Sequence, residues 1–138
     1  MSLKKFMVLV LAVTLVSGAV LTGGCVQTRT IQDVNPKEAS SLIQNNRNNP
    51  DFVIIDVRTP QEFADGHIAN ATNIDYYAAT FRNDINKLDK SKTYLIYCRS
   101  GGRSGNTLKI MEELNFGKVY NMLGGIIAWD AAKLPTVK

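Results

Sequence analysis

Two short runs of aliphatic and aromatic residues, set among segments with helical patterns, constrain the fold of this chain most strongly. The runs are 52–55 (Phe-Val-Ile-Ile) and 94–97 (Tyr-Leu-Ile-Tyr), and each has the length and composition of a buried strand. Weaker strands are predicted near 30–31, 71–74 and 119–122. These five strands alternate with predicted helices, and this alternation favours an α/β domain with a mainly parallel sheet.

Two helix starts share one pattern of residues. Asn35-Pro36-Lys37-Glu38 and Thr59-Pro60-Gln61-Glu62 each combine an N-cap residue, a proline at the first helical position and a glutamate three residues after the cap. Further helices are predicted over 77–88, 104–114 and 125–133. In parallel sheets, sites lie beyond the carboxyl ends of the strands. This rule directs attention to the residues after Ile55 and after Tyr97.

The first 24 residues have the composition of a signal peptide or a membrane anchor. Lys4 and Lys5 are followed by an apolar run over 6–16 and by small, turn-forming residues up to Gly24. No charge separates Lys5 from Arg29, so an uncleaved helical anchor is the alternative. Either interpretation predicts export and attachment to, or passage through, a membrane. We expect a short linker over 25–29 and one folded domain over 30–138.

The segment Leu21-Thr22-Gly23-Gly24-Cys25 resembles a lipobox, the site at which a prokaryotic lipoprotein is cut and lipidated on its new N-terminal cysteine. It departs from that pattern at Thr22, where an aliphatic residue is usual. Cys25 is therefore a lipidation candidate. Simple cleavage and a retained anchor remain open.

Charge and cysteine count narrow the function classes. The 138 residues have a formal net charge of +4, and Lys4 and Lys5 supply two of those charges, so the domain is near neutral and has no basic tract for nucleic acid. If Cys25 is the processing site, Cys98 is the domain's only thiol and is free to react. One histidine and one domain thiol give no case for a metal site. No cofactor is predicted.

The residues after the second buried run carry the predicted chemistry. Cys98-Arg99-Ser100-Gly101-Gly102-Arg103-Ser104 leads from a strand into a helix, and we name these residues loop 98–104. Backbone N–H groups and the helix start converge in such a loop, and its two arginines add positive charge. Two glycines allow a tight turn with positive φ. The sequence predicts an anion-binding cup with a low-pKa thiolate at its floor.

Loop length separates two reactions that suit such a cup. A thiolate can take the outer sulfur of thiosulfate as a persulfide, or it can attack a phosphate ester as protein tyrosine phosphatases do. Phosphatases place five residues between the cysteine and the arginine. Four residues separate Cys98 from Arg103, which predicts a cup for one sulfur atom and disfavours a phosphatase or arsenate reductase.

Three motifs together resemble those of single-domain rhodaneses. Loop 98–104 is similar to the active loop of that family. The family's first signature is similar to three segments of this chain: Asp56-Val57-Arg58, Glu62-Phe63 and Gly66-His67-Ile68. The family's C-terminal signature is similar to the segment from Gly124 to Trp129. Two positions depart from the family pattern, Asn70 and Lys133, where glycine is common. The resemblance implies a rhodanese-like fold, a parallel sheet of five strands with helices on both faces.

The resemblance also implies a function. The expected activity is that of a thiosulfate sulfurtransferase, in which Cys98 carries sulfane sulfur from a small anionic donor to a thiophilic acceptor such as cyanide or a thiol. The alternative is a low-turnover persulfide carrier or sulfide-sensing module that serves a membrane partner. The anion-binding residues are expected to be Arg99, Ser100, Gly101, Gly102, Arg103 and Ser104.

Other residues near the predicted site have competing roles. Asp56 either supports the site or forms a turn with its own backbone. Arg58 either supports the site together with Asp56 or has a structural role, and its position four residues before Glu62 suggests that the two side chains pair. Glu62 is assigned to the helix cap. His67 is assigned a structural role, because a thiolate held by N–H groups needs no base, and Trp129 is expected to pack in the core.

Overall fold

A computed structural model describes residues 28–138 as five strands and five helices that alternate along the chain. The predicted signal or anchor over 1–24 and the lipidation candidate Cys25 lie outside the described residues. The strands are β1 Thr30–Val34, β2 Phe52–Asp56, β3 Ala71–Asn73, β4 Thr93–Tyr97 and β5 Lys118–Met122. The helices are α1 Pro36–Asn45, α2 Pro60–Asp65, α3 Phe81–Asn86, α4 Gly102–Glu113 and α5 Gly125–Ala131.

The five strands form one parallel sheet in the order β1-β5-β4-β2-β3. The central strand β4 pairs with β2 through Asp56 opposite Tyr97, and with β5 through Ile96 opposite Asn121. All strands point the same way, so their carboxyl ends meet at one edge. The residues after β2 and β4 therefore come together there, as the sequence predicted, and the residues after β5 join them.

Helices cover both faces of the sheet, and alternate residues of β4 divide between the two hydrophobic clusters. Tyr94, Ile96 and Cys98 belong to the cluster that includes Phe81 of α3 and Met111 of α4. The opposite cluster contains Leu95 and Tyr97 together with Ala39 of α1 and Trp129 of α5; further members are Val34, Ile54, Ile68, Met122 and Ile126. Burial on both faces explains why 94–97 reads as a continuous apolar run.

Both predicted capping boxes are present. The Asn35 side chain accepts the N–H groups of Lys37 and Glu38, each at 3.0 Å, and the Glu38 carboxylate accepts the N–H of Asn35 at 2.8 Å. Thr59 and Glu62 make the equivalent pair at α2. These caps satisfy N–H groups that the first helical turn leaves without partners.

Several predicted boundaries were wrong by two to four residues. Helix α3 begins at Phe81, because residues 77–80 form turns that begin where the Asp75 carboxylate accepts the Tyr77 N–H at 2.9 Å. Helix α4 begins at Gly102, two residues early, and α5 ends at Ala131. The strand β1 extends to Val34, since it pairs with β5 along its whole length. Within residues 28–138, no helix has the length and apolar character needed to cross a membrane.

The two departures from the family pattern occupy left-handed backbone. Asn70 has φ of 64° and Lys133 has φ of 60°, in the region where glycine has no steric penalty. Asparagine tolerates this conformation better than lysine does. A glycine at either position would avoid this steric cost, and Lys133 is the more strained residue.

Candidate active site

Cys98 follows directly after the central strand, and its side chain is 1% exposed. Helix α4 begins only four residues later, so residues 99–101 make the whole connection. Gly101 has φ of 106°, which confirms the prediction that the loop needs a glycine with positive φ. Gly102 does not have positive φ and is already the first residue of the helix.

Hydrogen-bond donors from the loop surround the Cys98 sulfur. The Gly101 N–H donates to Sγ at 3.1 Å, and the Ser104 hydroxyl lies 3.5 Å from it. Burial opposes ionisation of the thiol. It is outweighed by the Ser104 hydroxyl and by the N–H groups of Ser104, Gly101 and Ser100, so the pKa of Cys98 lies below its ordinary value. A lowered pKa and a position just before a helix are features of reactive cysteines.

The β5–α5 connection holds the back of loop 98–104. The first N–H groups of α5 reach the loop carbonyls: Ile126 donates to Cys98 O at 2.9 Å, and Ile127 donates to Arg99 O at 3.2 Å. Gly125, with φ of 58°, lies against these same carbonyls, and a Cβ there would overlap them. Gly124 and Gly125 therefore let the chain pass close to loop 98–104.

Arg103 is paired with a carboxylate from another helix. Its Nη1 and Nη2 donate to Oε2 and Oε1 of Glu62 at 2.7 and 2.8 Å, so the two groups form a bidentate pair. This hydrogen bonding lowers the pKa of Glu62 to about 2 and raises that of Arg103 above its ordinary value. The Arg103 guanidinium also lies 5.5 Å from the centre of the Tyr77 ring.

The predicted pairing of Arg58 with Glu62 was wrong. A capping box fixes Glu62 at the start of α2, facing loop 98–104, where Arg103 reaches it. The anion beside Arg103 in the first turn of α4 is therefore the Glu62 carboxylate. Consequently, the positive charge of Arg103 is largely neutralised within the protein.

Arg99 and Ser100 are exposed at the outer side of the loop. The Arg99 side chain makes no ion pair or hydrogen bond with any of the residues from 28 to 138 that the structure describes. Of the two arginines in loop 98–104, Arg99 is therefore the one available to an incoming anion.

Asp56 and Arg58 form a buried ion pair on the opposite face of the sheet from Cys98. Arg58 Nη2 lies 2.6 Å from Asp56 Oδ2, and both side chains are almost inaccessible. Burial opposes the charge of Arg58, but the Asp56 carboxylate outweighs this effect and raises the pKa of Arg58. Arg58 also donates to the Gly66 carbonyl at 2.6 Å. These contacts give the pair a structural role beside Tyr97, and neither side chain touches the sulfur.

The lone histidine and tryptophan have the predicted structural roles. His67 Nδ1 lies 3.0 Å from the Phe63 carbonyl, its ring stacks on Phe63, and its backbone pairs with Val137. Trp129 is 3% exposed, and its indole N–H donates to the Pro135 carbonyl at 3.0 Å. Over residues 28–138, no group of three histidine, cysteine or acidic side chains is placed to hold a metal ion.

Two contributors to the site were not predicted from the sequence: Glu62 as the partner of Arg103, and Tyr77 beside it. The signal for Glu62 is its position after β2, at the same sheet edge as the residues after β4. The signal for Tyr77 is weaker, since it lies in a turn that the sequence predicts as helix.

The fold and the site together define a class. The protein is a parallel α/β domain with a buried cysteine, whose pKa lies below its ordinary value, in a short strand–loop–helix connection. A family model for the rhodanese-like domain matches residues 36–132. The chain belongs to the rhodanese-like family.

Similar proteins include sulfurtransferases. A sulfurtransferase of Allochromatium vinosum is 36% identical over 104 residues, which cover 75% of this chain and 95% of that protein. The thiosulfate sulfurtransferase GlpE of Coxiella burnetii is 36% identical over 81 residues, or 59% of this chain and 74% of that one. The family relationship therefore supports sulfurtransferase as the general class of activity.

Solved structures agree with this fold. A rhodanese-related protein from Thermoplasma volcanium superposes with a TM-score of 0.63 at 27% identity, covering 79% of this chain and 97% of that one. A rhodanese-like domain protein from Staphylococcus aureus gives a TM-score of 0.58 at 30% identity, with coverage of 71% and 90%. The five-stranded parallel sheet with helices on both faces is thus the fold of this family.

Proposed function

We propose that this chain transfers sulfane sulfur from a small anionic donor such as thiosulfate to a thiophilic acceptor through a persulfide on Cys98. The observation that carries the proposal is the Cys98 sulfur at the floor of its loop, with the Gly101 N–H at 3.1 Å and the Ser104 hydroxyl at 3.5 Å. These donors stabilise a thiolate before the reaction and an anionic persulfide after it.

The proposed reaction has two steps. The Cys98 thiolate attacks the outer sulfur of thiosulfate, the bond between the two sulfurs of the donor breaks, and sulfite leaves with the electron pair. Cyanide or a thiolate then attacks the outer sulfur of the persulfide, and the Cys98 thiolate is regenerated. Arg99 is the side chain available to attract the donor anion, because Arg103 is engaged with Glu62.

Intact-mass measurement after incubation with thiosulfate tests this proposal. The wild-type chain should gain the mass of one sulfur atom, and cyanide should remove it with formation of thiocyanate. Cys98→Ser should show neither effect while keeping its fold by circular dichroism. Cys25→Ser is the matched control and should behave as wild type. Uptake and transfer of sulfur by Cys98→Ser would refute the assignment.

A persulfide carrier with little turnover is the second candidate, favoured by the Arg103–Glu62 pair. Neutralising one of the two loop arginines leaves less charge to attract a free anion. Under this alternative Cys98 takes up sulfur but the thiosulfate–cyanide assay shows almost no turnover. A phosphatase is disfavoured by the four-residue spacing, and an aryl phosphate assay should show no hydrolysis dependent on Cys98.

We also propose that the domain acts outside the cytoplasm, attached to a membrane through its N-terminus. Lys4, Lys5, the apolar run over 6–16 and Cys25 support this localisation. Cell fractionation should find the chain with membranes, and Cys25→Ala should abolish labelling by a fatty-acid probe. Membrane attachment without lipid would favour a retained anchor, and a cytoplasmic chain that keeps Met1 would refute export.

A further inference from the structure

Most of the exposed large hydrophobic side chains lie around loop 98–104. Among residues 28–138, four such side chains are exposed: Tyr77 at 68%, Leu123 and Ile127 at 47% each, and Val137 at 43%. Single exposed apolar residues scattered over a surface are ordinary, whereas a cluster at a reactive site indicates binding. Three of these four border the loop, and we name Tyr77, Leu123 and Ile127 the apolar rim.

Contacts within the structure place the apolar rim on two sides of the loop. Tyr77 lies beside the Arg103 guanidinium, on the side of the β3–α3 connection. Leu123 directly precedes Gly124, whose backbone packs against Gly101. Ile127 donates its N–H to the Arg99 carbonyl, on the side of α5. These three residues therefore border loop 98–104 from the β3–α3 connection and from the β5–α5 connection.

The charge next to the apolar rim complements a ligand that carries an acidic group beside an apolar group. The Arg103 charge is neutralised by Glu62, and Arg99 remains exposed at the outer side of the loop. A small inorganic anion gains nothing from three apolar side chains. A polypeptide with apolar residues and a carboxylate next to its reactive group would use both the rim and Arg99.

We propose that the apolar rim docks a partner polypeptide that presents a cysteine flanked by apolar side chains and a carboxylate, and that this cysteine takes the sulfur from Cys98. The inference rests on the proposed function and names the class of acceptor. A second copy of the domain does not fit, because its Cys98 is equally recessed, at 1% exposure, and two recessed sulfurs do not meet. Three side chains form a small contact, which suits brief encounters.

The transfer step is balanced without an oxidant or a reductant. The partner's thiolate attacks the outer sulfur of the Cys98 persulfide, so that a new sulfur–sulfur bond forms on the partner. The bond between Sγ and the outer sulfur breaks, and its electron pair stays on Sγ as the thiolate. The proton of the partner's thiol goes to solvent. The pKa of Cys98 lies below its ordinary value because loop donors stabilise its thiolate, and the same donors favour this thiolate as the leaving group.

Short peptides test the acceptor chemistry with full-length protein that carries Cys25→Ser. The protein is loaded from thiosulfate, and single-turnover transfer is followed by peptide mass for acetyl-Glu-Leu-Cys-Leu-amide, acetyl-Glu-Gly-Cys-Gly-amide and acetyl-Lys-Leu-Cys-Leu-amide. Each second-order rate is divided by that for free cysteine at matched thiolate concentration. We expect the first peptide to react at least about tenfold faster than the glycine peptide, since its leucines are partly buried against the rim.

Variants locate the effect on the rim. In the double variant Leu123→Ser with Ile127→Ser, the preference for the leucine peptide should fall to within about twofold, while the rate with cyanide is retained. Val137→Ser, at the fourth exposed position, should keep the preference. Arg99→Gln should remove the preference for the glutamate peptide over the lysine peptide.

The outcomes separate the two proposals. Equal rates for the leucine and glycine peptides, or a preference that survives in the double variant, would overturn the role of the apolar rim. The proposed function would still stand in that case if Cys98 takes up sulfur and turns over with cyanide. If Cys98 takes up no sulfur at all, the proposed function fails first and the rim's role fails with it.

Discussion

The pair between Glu62 and Arg103 allows a quantitative prediction for the substitution Glu62→Gln. Two hydrogen bonds of 2.7 and 2.8 Å join the side chains, which are 27% and 15% exposed. Glutamine keeps the oxygen that caps α2, because either residue serves in a capping box. The substitution therefore removes the charge of the pair and retains most of the cap.

The magnitude follows from the pKa of Glu62, which is lowered from 4.5 to about 2 mainly by the Arg103 hydrogen bonds. At about 1.4 kcal/mol per unit of pKa, the lowering corresponds to an upper bound of roughly 3 kcal/mol. Part of the pKa lowering comes from hydrogen bonds with Thr59, which the variant keeps. Solvent also screens the pair, because both side chains are partly exposed. We expect Glu62→Gln to lower the free energy of unfolding by about 1–2 kcal/mol at neutral pH.

The pH dependence gives the prediction its sign. Because the pKa of Glu62 is lower in the folded state, the stabilisation is complete above 4.5 and is lost as the pH falls towards 2. Glutamine does not titrate. Urea unfolding of both proteins between about pH 7 and pH 3 should show a difference that is constant down to about 4.5 and then shrinks.

A matched control is available on the surface. Glu113 pairs with Arg82 at 3.0 Å, but the two side chains are 62% and 55% exposed. Glu113→Gln should change stability by no more than about 0.5 kcal/mol. If Glu62→Gln costs no more than this control, or if its effect is the same at pH 7 and pH 3, the ion pair does not contribute as argued.

Three further predictions have defined outcomes, and two of them include a comparison substitution. Ser104→Ala removes a hydroxyl that lowers the pKa of Cys98. The pH profile of Cys98 alkylation by iodoacetamide should therefore move to higher pH, and the alkylation rate near neutrality should fall. An unchanged profile would contradict the assignment of Ser104 as a donor. Gly125→Ala places a methyl group against two carbonyls and should lower the free energy of urea unfolding by more than about 2 kcal/mol. Gly105 has open space around it inside α4, so Gly105→Ala should raise this free energy by up to about 1 kcal/mol. Lys133→Gly should raise the free energy of unfolding by about 0.5–1 kcal/mol, which thermal unfolding should show as a higher midpoint. Asn70→Gly should change the free energy of unfolding by less. The reverse order would refute the argument from left-handed strain.

The sequence was sufficient to predict the parts of the fold that depend on local pattern and burial. The two apolar runs became the adjacent strands β2 and β4, and both capping boxes start helices where expected. The start of α3 was wrong because residues 77–80 carry no residue that excludes helix. The turns there depend on hydrogen bonds such as that from Tyr77 to Asp75, which propensity does not encode.

Some features of the site depend on residues adjacent in sequence, and others depend on contacts between distant segments. The position of Cys98, the left-handed Gly101 and the donor groups around the sulfur follow from adjacent residues, and they were predicted. Which carboxylate meets which arginine depends on the separation and orientation of α2 and α4. For this reason the sequence suggested Arg58 with Glu62, whereas the structure joins Arg58 to Asp56 and Arg103 to Glu62.

The hydrogen bonds from α5 to the carbonyls of Cys98 and Arg99 make the order of assembly important. The loop is contributed by the middle of the domain, but its shape is supported by N–H groups from residues 126 and 127, nearly thirty positions later. During synthesis, a chain that has emerged only as far as α4 has the cysteine without this support. The donors to the Cys98 sulfur come from Gly101 and Ser104, but the carbonyls of the loop meet their α5 partners only after β5 and α5 dock. The supported shape of the loop therefore requires a completed domain.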